Sequence, residues 1–215
     1  MYDEKYSKKE ETSPRSIVVY FIDNFLIPGQ SCLDLGCGAG RHSKYLAEKG
    51  IDVTAVDLSQ EGVRKTQQIL ADYPRSDALV ADIHHLPFSD ASFDSLISNR
   101  VLDYNDDHGL DTVFSEIVRV VKENTLILLT LRSTAQLPKQ NETLTQENDL
   151  GGKTYQVQGG KEVGVYQHYF TESEIRRLAE DHGLTVEEIK EDQSENKYHD
   201  LKAEWQVILK KNSEK

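Results

Sequence analysis

Apolar and polar positions along the chain change period several times, and each change marks an element. From Pro14 to Ile27 the apolar residues Ile17, Val18, Phe21, Ile22, Phe25 and Leu26 fall on one face of a helix. Ser13-Pro14 is its start signal and Pro28-Gly29 its stop. Short apolar runs and helical stretches then alternate. Cys32–Leu35 predicts a strand, Arg41–Lys49 a helix closed by Gly50, Asp52–Asp57 a strand, and Gln60 to about Asp72 a helix capped by Ser59. Asp77–Ala81, Ser92–Ser98 and Thr125–Leu131 read as further strands, with a loop over Ile83–Ser89 and a helix from about Leu110 to Lys122. Strands separated by helices imply right-handed crossovers and a doubly wound parallel α/β sheet.

Beyond Arg132 the pattern turns polar. Residues 132–160 are rich in Gln, Asn, Thr and Gly, and a long connection of this kind is functional or disordered. Lys153–Gln158, the turn Gly159-Gly160-Lys161 and Glu162–Phe170 predict a β-hairpin. Thr171 with Glu174 is a capping box opening a helix to about His182, and Gly183 stops it. Leu184–Ile189 and Ala203–Lys210 predict two last strands, with Glu191–Asp200 as a charged mobile loop between them. Residues 1–13 are charged, with Tyr2 and Tyr6, and read either as a frayed tail or as a flap over a ligand.

At 215 residues the chain is expected to form a single domain (1–215), with an N-terminal flap and helix over 1–29 and a substrate-side insertion over about 132–168. A net charge of -12 disfavours a nucleic-acid partner, which needs a basic face. Two cysteines make no disulfide framework, and neither a CxxC pair nor an H-E-x-x-H helix suggests zinc. The N-terminus is charged from Asp3 onward, unlike a signal peptide, and the apolar runs are too short to span a bilayer. A reducing, cytoplasmic setting without membrane partners is expected.

The stretch Ser31–Gly40 carries the candidate chemistry. A strand runs into glycines at every second position, Gly36, Gly38 and Gly40, and then into a helix, an arrangement that lets backbone approach a nucleotide-like ligand. The dinucleotide fingerprint needs a third glycine three residues after the second, where this chain has Arg41 or Ser43, so NAD and flavin are disfavoured. Asp57 follows Gly36 by 21 positions, at a strand end, where a carboxylate can accept from both hydroxyls of a ribose. Asp82 ends the third strand and can accept from an adenine amino group while Ile83 covers the ring. Asp34 can organise the turn or meet a ligand ammonium group.

The run LDLGCGAGRHSKYLAEKG-IDVTAVDLS, followed by ADIHHLPFSDASFDSLISN, resembles the class I S-adenosylmethionine-dependent methyltransferases over roughly Ser31–Leu131. The Gly-Arg-His-Ser turn exit and the YLAEKGIDVTAVD continuation are similar to the small, single-domain branch that includes tellurite-resistance-type and other small-molecule enzymes. The resemblance implies a Rossmann-like seven-stranded sheet of order 3-2-1-4-5-7-6 with the last strand antiparallel. It implies S-adenosylmethionine as cofactor and S-adenosylhomocysteine as product. It places Gly36, Cys37 and Gly38, with Gly40 nearby, against the methionine and ribose, and Asp57 on the ribose with Leu58 beside the adenine. Asp82-Ile83 falls on the adenine and Asn99 at the methionine end. An N-terminal cover is common in that branch, which adds Tyr6 and Arg15 as cofactor contacts. Lys122-Glu123-Asn124 replaces the family's Pro-Gly-Gly turn, away from the site.

Methyl transfer from a sulfonium is an in-line displacement in which the protein aligns and excludes water, and a base is needed only if the acceptor must lose a proton. Candidates on the acceptor side are Asp103, Tyr104, Tyr155, Tyr166 and Tyr169, the tyrosines lining an aromatic pocket or padding the hairpin. His168 is the candidate catalytic base, or a strand-end histidine that only packs. His84-His85 reads as solvent-facing. The acids Asp103, Asp106 and Asp107 near His108 read as a helix N-terminus, so no metal is expected. The leading reading is a methyltransferase acting on a small-molecule acceptor. A protein methyltransferase and a non-catalytic S-adenosylmethionine-binding protein are the alternatives, with RNA methylation third.

Overall fold

The computed structural model describes residues 13–136, 138–195 and 201–213; Tyr6 and most of the N-terminal flap fall outside these. Helix α1 (Ser16–Phe25) leads to β1 (Ser31–Leu35), α2 (Arg41–Glu48), β2 (Asp52–Asp57), α3 (Gln60–Leu70), β3 (Asp77–Val80) and β4 (Phe93–Asn99). A 3-10 turn (Leu102–Tyr104) precedes α4 (Asp107–Val120), which runs directly into β5 (Val121–Arg132). Asn124 supplies there, at φ 61°, the left-handed residue that a glycine more often provides. β6 (Glu142–Glu147), β7 (Lys153–Val157) and β8 (Tyr166–Tyr169) form a separate antiparallel sheet, ahead of α5 (Glu172–Asp181), β9 (Leu184–Glu195) and β10 (Leu201–Lys211).

The main sheet is seven-stranded, in the order β3-β2-β1-β4-β5-β10-β9. β1 to β5 pair parallel, and β10 is antiparallel to both β5 and β9. The expected order 3-2-1-4-5-7-6 differs in its last two numbers because the three small-sheet strands intervene in the chain. Two apolar layers cover the faces. Val18, Phe21, Ile22, Leu46, Val63 and Leu70 from α1 to α3 pack with Cys32 and Val53, while Val113, Phe114, Ile117 and Ile175 from α4 and α5 pack with Leu33, Leu96 and Leu129.

Parts of two loops expected from charge and polarity are strands, and residues 196–200 of the later one lie outside the described residues. The charged segment after Ile189 continues β9 to Glu195, because pairs such as Glu191 with Trp205 satisfy its backbone on β10. Glu142–Glu147 adds β6 beside the predicted hairpin. No helix among the described residues is long and apolar enough to cross a membrane.

Candidate functional site

β1, β2 and β3 run to one side of the sheet and β4 and β5 to the other, so the order reverses between β1 and β4, the place where open α/β sheets bind ligands. A cavity of about 670 Å³ opens there at the carboxyl ends of the strands. After β1 it is lined by Gly36, Cys37, Gly38 and Ala39, and by Arg41 and His42 at the start of α2. The turn is shaped by backbone. Gly36 and Cys37 both donate N–H to the Val56 carbonyl, at 2.8 and 2.9 Å, and Gly36, Gly38 and Gly40 have φ of 76°, 56° and 82°. A Cβ on Gly36 would overlap the Val101 side chain, so glycine lets the β1 and β4 loops meet. Gly40 lies against Thr66 and stays off the cavity wall.

Asp57 ends β2 on the cavity wall. Its Oδ2 accepts from Gly38 N–H at 2.9 Å and its Oδ1 from Ser59 N–H at 2.8 Å. Each carboxylate oxygen retains a lone pair for a further donor. Leu58 beside it is 48% exposed, an apolar side chain held over the opening. Ile83 lines the wall after β3, but Asp82 turns aside. Its Oδ1 accepts from the N–H of His84 at 2.9 Å and meets that ring's Nδ1 at 2.7 Å. Partial burial opposes the Asp82 charge, and the His84 backbone and ring outweigh it, holding the carboxyl below its ordinary value. His84 itself lines the cavity instead of facing solvent, its Nε2 2.7 Å from Asn105 Oδ1.

Asp34 is buried behind the turn and does not line the cavity: Ser43 Oγ donates to its Oδ2 at 2.5 Å, and burial pushes its carboxyl up to about 6. Asp34 thus faces the start of α2, where Ser43 holds it, and not the cavity. Burial, with Asp34 and Asp57 nearby, also raises the Cys37 thiol, so it stays protonated at neutral pH.

The far end of the cavity is charged. Asn99 Oδ1 accepts from Arg15 Nη1 at 3.2 Å and from Thr130 Oγ1 at 3.1 Å. Arg15 also grips Glu204 with two N–H donors, at 2.5 and 2.8 Å. Arg100 stands in the left-handed region at φ 60°, with Nε donating to Asp103 at 2.6 Å and Nη1 reaching Glu204 at 3.4 Å. Because β10 is antiparallel, its first residues arrive at the same sheet end as the last residues of β5, which is why Lys202, Ala203 and Glu204 line the cavity with Asp192 and Ser194 of β9. Tyr104 lines it from the 3-10 turn.

Several acceptor-side expectations are corrected. Asp103 is fully buried, where Arg100 and the backbone N–H of Arg132 hold it, away from the cavity wall. His168 is fully buried on β8 between Thr154 and Glu174 and cannot reach a cavity ligand as a base. Tyr169 is buried, donating its hydroxyl to Glu142 at 2.7 Å, and Tyr155 packs edge-on against it. Tyr166 is partly exposed on the small sheet. None of these tyrosines, and no residue of 132–168, lines the cavity among the described residues; β9 and β10 take that place.

Sequence reasoning missed His42, Arg100 and Glu204. His42 is 4% exposed on the cavity wall, its Nε2 has no hydrogen-bond partner, and burial together with Arg41 and Arg15 pushes its pKa down to about 3. Its place on the buried face of α2 with Ser43, Leu46 and Ala47 was the available signal. Arg100 follows Asn99 directly at a strand end. Glu204 gave no local signal.

Residues 33–129 match the model of a methyltransferase domain. A malonyl-[acyl-carrier protein] O-methyltransferase of Pseudescherichia vulneris is 35% identical over 109 residues, covering 51% of this chain and 41% of that enzyme. The chain thus spans less than half the length of the curated relatives it matches, 41%, 35% and 49% for three of them. The fold is similar to an S-adenosylmethionine-dependent methyltransferase of Methanosarcina mazei, with TM-score 0.71 and 22% identity over 94% of this chain and 100% of that one. It is also similar to 1,6-didemethyltoxoflavin-N1-methyltransferase of Burkholderia thailandensis, solved with 1,6-didemethyltoxoflavin and S-adenosylhomocysteine, with TM-score 0.72 and 19% identity over 93% and 78%. At those identities the two structures speak for the fold alone. The family match falls on the same turn, strand ends and switch point that build the cavity, so this segment of the chain is similar to a methyltransferase domain.

Proposed function

We propose that this chain transfers the methyl group of S-adenosylmethionine to a small-molecule acceptor that enters at the Arg15, Asn99, Tyr104 and Glu204 end of the cavity. One observation carries the reading: the glycine turn, Asp57, Leu58, Ile83 and Asn99 share a single cavity of about 670 Å³, within the roughly 300–1,000 Å³ of small-molecule sites. The residues fit the cofactor. Asp57 retains lone pairs toward the cavity for the ribose hydroxyls, and Gly38 leaves the backbone room beside it. Leu58 and Ile83 supply apolar cover for the adenine, with Asp82 acting only through the His84 it holds. Asn99 and Arg15 stand toward the methionine end. When bound, the cofactor supplies a methyl group already activated on a sulfonium, so the chain's own task is alignment and exclusion of water.

His168 is enclosed away from the cavity, and the histidines that line it are His42 and His84. His42 is neutral, but it lies at the start of α2 beside the glycine turn. The P. vulneris relative's name supports a second reading, an acid carried on an acyl-carrier protein. Two free thiols, Cys32 and Cys37, support a reducing, cytoplasmic setting. Calorimetry with S-adenosylmethionine and S-adenosylhomocysteine is expected to show saturable binding of each. Lack of binding at high micromolar ligand refutes the proposal. Release of S-adenosylhomocysteine with free acids and with acyl-carrier-linked acids then separates the two acceptors.

A further inference from the structure

Away from the cavity, three elements converge on a second polar centre. His168 of β8, Glu174 in the first turn of α5 and Asp107 at the start of α4 each place one ligand-type atom within 4.8 Å of the others. His168 Nε2 is 2.9 Å from Glu174 Oε1, and His168 Nδ1 is 2.7 Å from Thr154 Oγ1 and 3.8 Å from Asp107 Oδ1. Asn148 Nδ2 donates to Glu174 Oε1 at 2.5 Å, and Gln146 Nε2 to Asp107 Oδ2 at 2.9 Å.

Two oxygens are left over. Glu174 Oε2 and Asp107 Oδ1 are buried and have no hydrogen-bond partner, although the Glu174 side chain is only 5% exposed. Buried polar atoms are almost always paired, so each orphan needs a cause. The capping box gives one half of the explanation. Thr171 Oγ1 accepts from Glu174 N–H at 3.2 Å, but the Glu174 carboxylate goes to His168 and Asn148 instead of returning to the helix start. Gly152 makes room for it, since a Cβ there would overlap the carboxylate. Among the described residues no lysine or arginine pairs with either acid.

We propose that Asp107, His168 and Glu174 bind a divalent transition-metal cation of the zinc or manganese class. One imidazole and two carboxylates suit such an ion, and two charges match the two acids. Such bonds run about 2.0–2.2 Å, and one ligand-type atom from each of the three side chains already lies within 4.8 Å of the others. The ion ties the small sheet to α4 and α5, directly beyond the loop that carries Tyr104 and Asn105. Its role is to hold that wall of the cavity in place, and it takes no part in the methyl transfer.

The test uses the whole chain after chelator treatment, titrated with ZnCl2 by calorimetry, with Mn2+ and Mg2+ as parallel arms and Co2+ absorbance as a report of nitrogen and oxygen ligation. One equivalent of Zn2+ is expected to bind at micromolar or lower Kd and to raise the thermal transition. Asp107→Asn, whose side chain is partly exposed and whose fold is therefore least at risk, and Glu174→Gln should each weaken binding at least tenfold, while His85→Gln should not. No saturable 1:1 binding by the native chain overturns the proposal. Folded Asp107→Asn and Glu174→Gln variants that keep native affinity overturn it as well.

Discussion

Asp57→Ala is the sharpest perturbation of the donor half, because the carboxylate does two jobs that can be measured apart. Toward the cavity it would accept two ribose hydroxyls, and hydrogen bonds to a charged acceptor contribute about 1.5–3 kcal/mol each. Taking the low end for both, since the site opens to solvent on one side, the variant loses about 3 kcal/mol of ligand affinity, roughly 100-fold or slightly more. Away from the cavity it holds Gly38 N–H and Ser59 N–H, which the variant leaves without an acceptor. That costs about 1–3 kcal/mol per buried donor and, at about 2–4 °C per kcal/mol for a chain of this size, lowers Tm by several degrees. Ser59→Ala calibrates the second effect. It removes the α3 cap on Gly62 N–H, costing about 1 kcal/mol, and should leave S-adenosylhomocysteine affinity within about threefold. The assay is calorimetry well below both transition temperatures, with circular dichroism and a melt for each variant. A folded Asp57→Ala protein that binds S-adenosylhomocysteine within about threefold of the native chain refutes the ribose role.

Two further outcomes test the turn and its surroundings. His42, with its folded pKa near 3 against 6.5 unfolded, takes its proton first in the unfolded chain, so its contribution is complete above about pH 6.5 and drains as pH falls toward 3. Asp34, raised from 3.8 to about 6, works the other way: its burial penalty is present above about pH 6 and relieved as pH falls toward 3.8. Urea unfolding of His42→Gln should therefore lose less stability than the native chain between pH 7.5 and 4.5, by about 2.5 kcal/mol; parallel profiles would disprove the assignment. Gly36→Ala forces a side chain into φ 76° and into Val101, and should destabilise by at least about 1–2 kcal/mol and weaken cofactor binding. Adding Val101→Ala should recover the part due to overlap and not the part due to φ, read from melting temperatures of the single and double variants.

The donor half was legible because it is written locally. A strand, a glycine turn and a helix are adjacent in the chain, and Asp57, Ile83 and Asn99 are strand ends whose position follows from the alternating pattern alone. Where the reading failed, long-range pairing decided the outcome. His168 looked available on a strand end, yet Thr154 and Glu174 enclose it from two other elements. Asp103 looked like a cavity acid until Arg100 and Arg132 closed on it. The charged stretch after Ile189 carried no strand signal, and β10 made it a strand by offering a partner for its backbone.

The same contrast explains how far the family match reaches. Residues 33–129 contain every turn and strand end on the donor side of the cavity, and their geometry is set by backbone hydrogen bonds such as those from Gly36 and Cys37 to Val56. Arg15, Asp192, Lys202 and Glu204 lie outside that segment; β9 and β10 bring the last three to the cavity by long-range strand pairing, and Arg15 is held there by Glu204, 189 positions away. Arg100 sits at the joint. A left-handed arginine costs on the order of 1–3 kcal/mol, and it persists because Asp103, from inside the matched segment, and Glu204, from outside it, hold the same guanidinium. A backbone-built half tolerates many sequences and stays recognisable at low identity. A half set by long-range side-chain contacts changes with each residue exchanged, and there similarity fades.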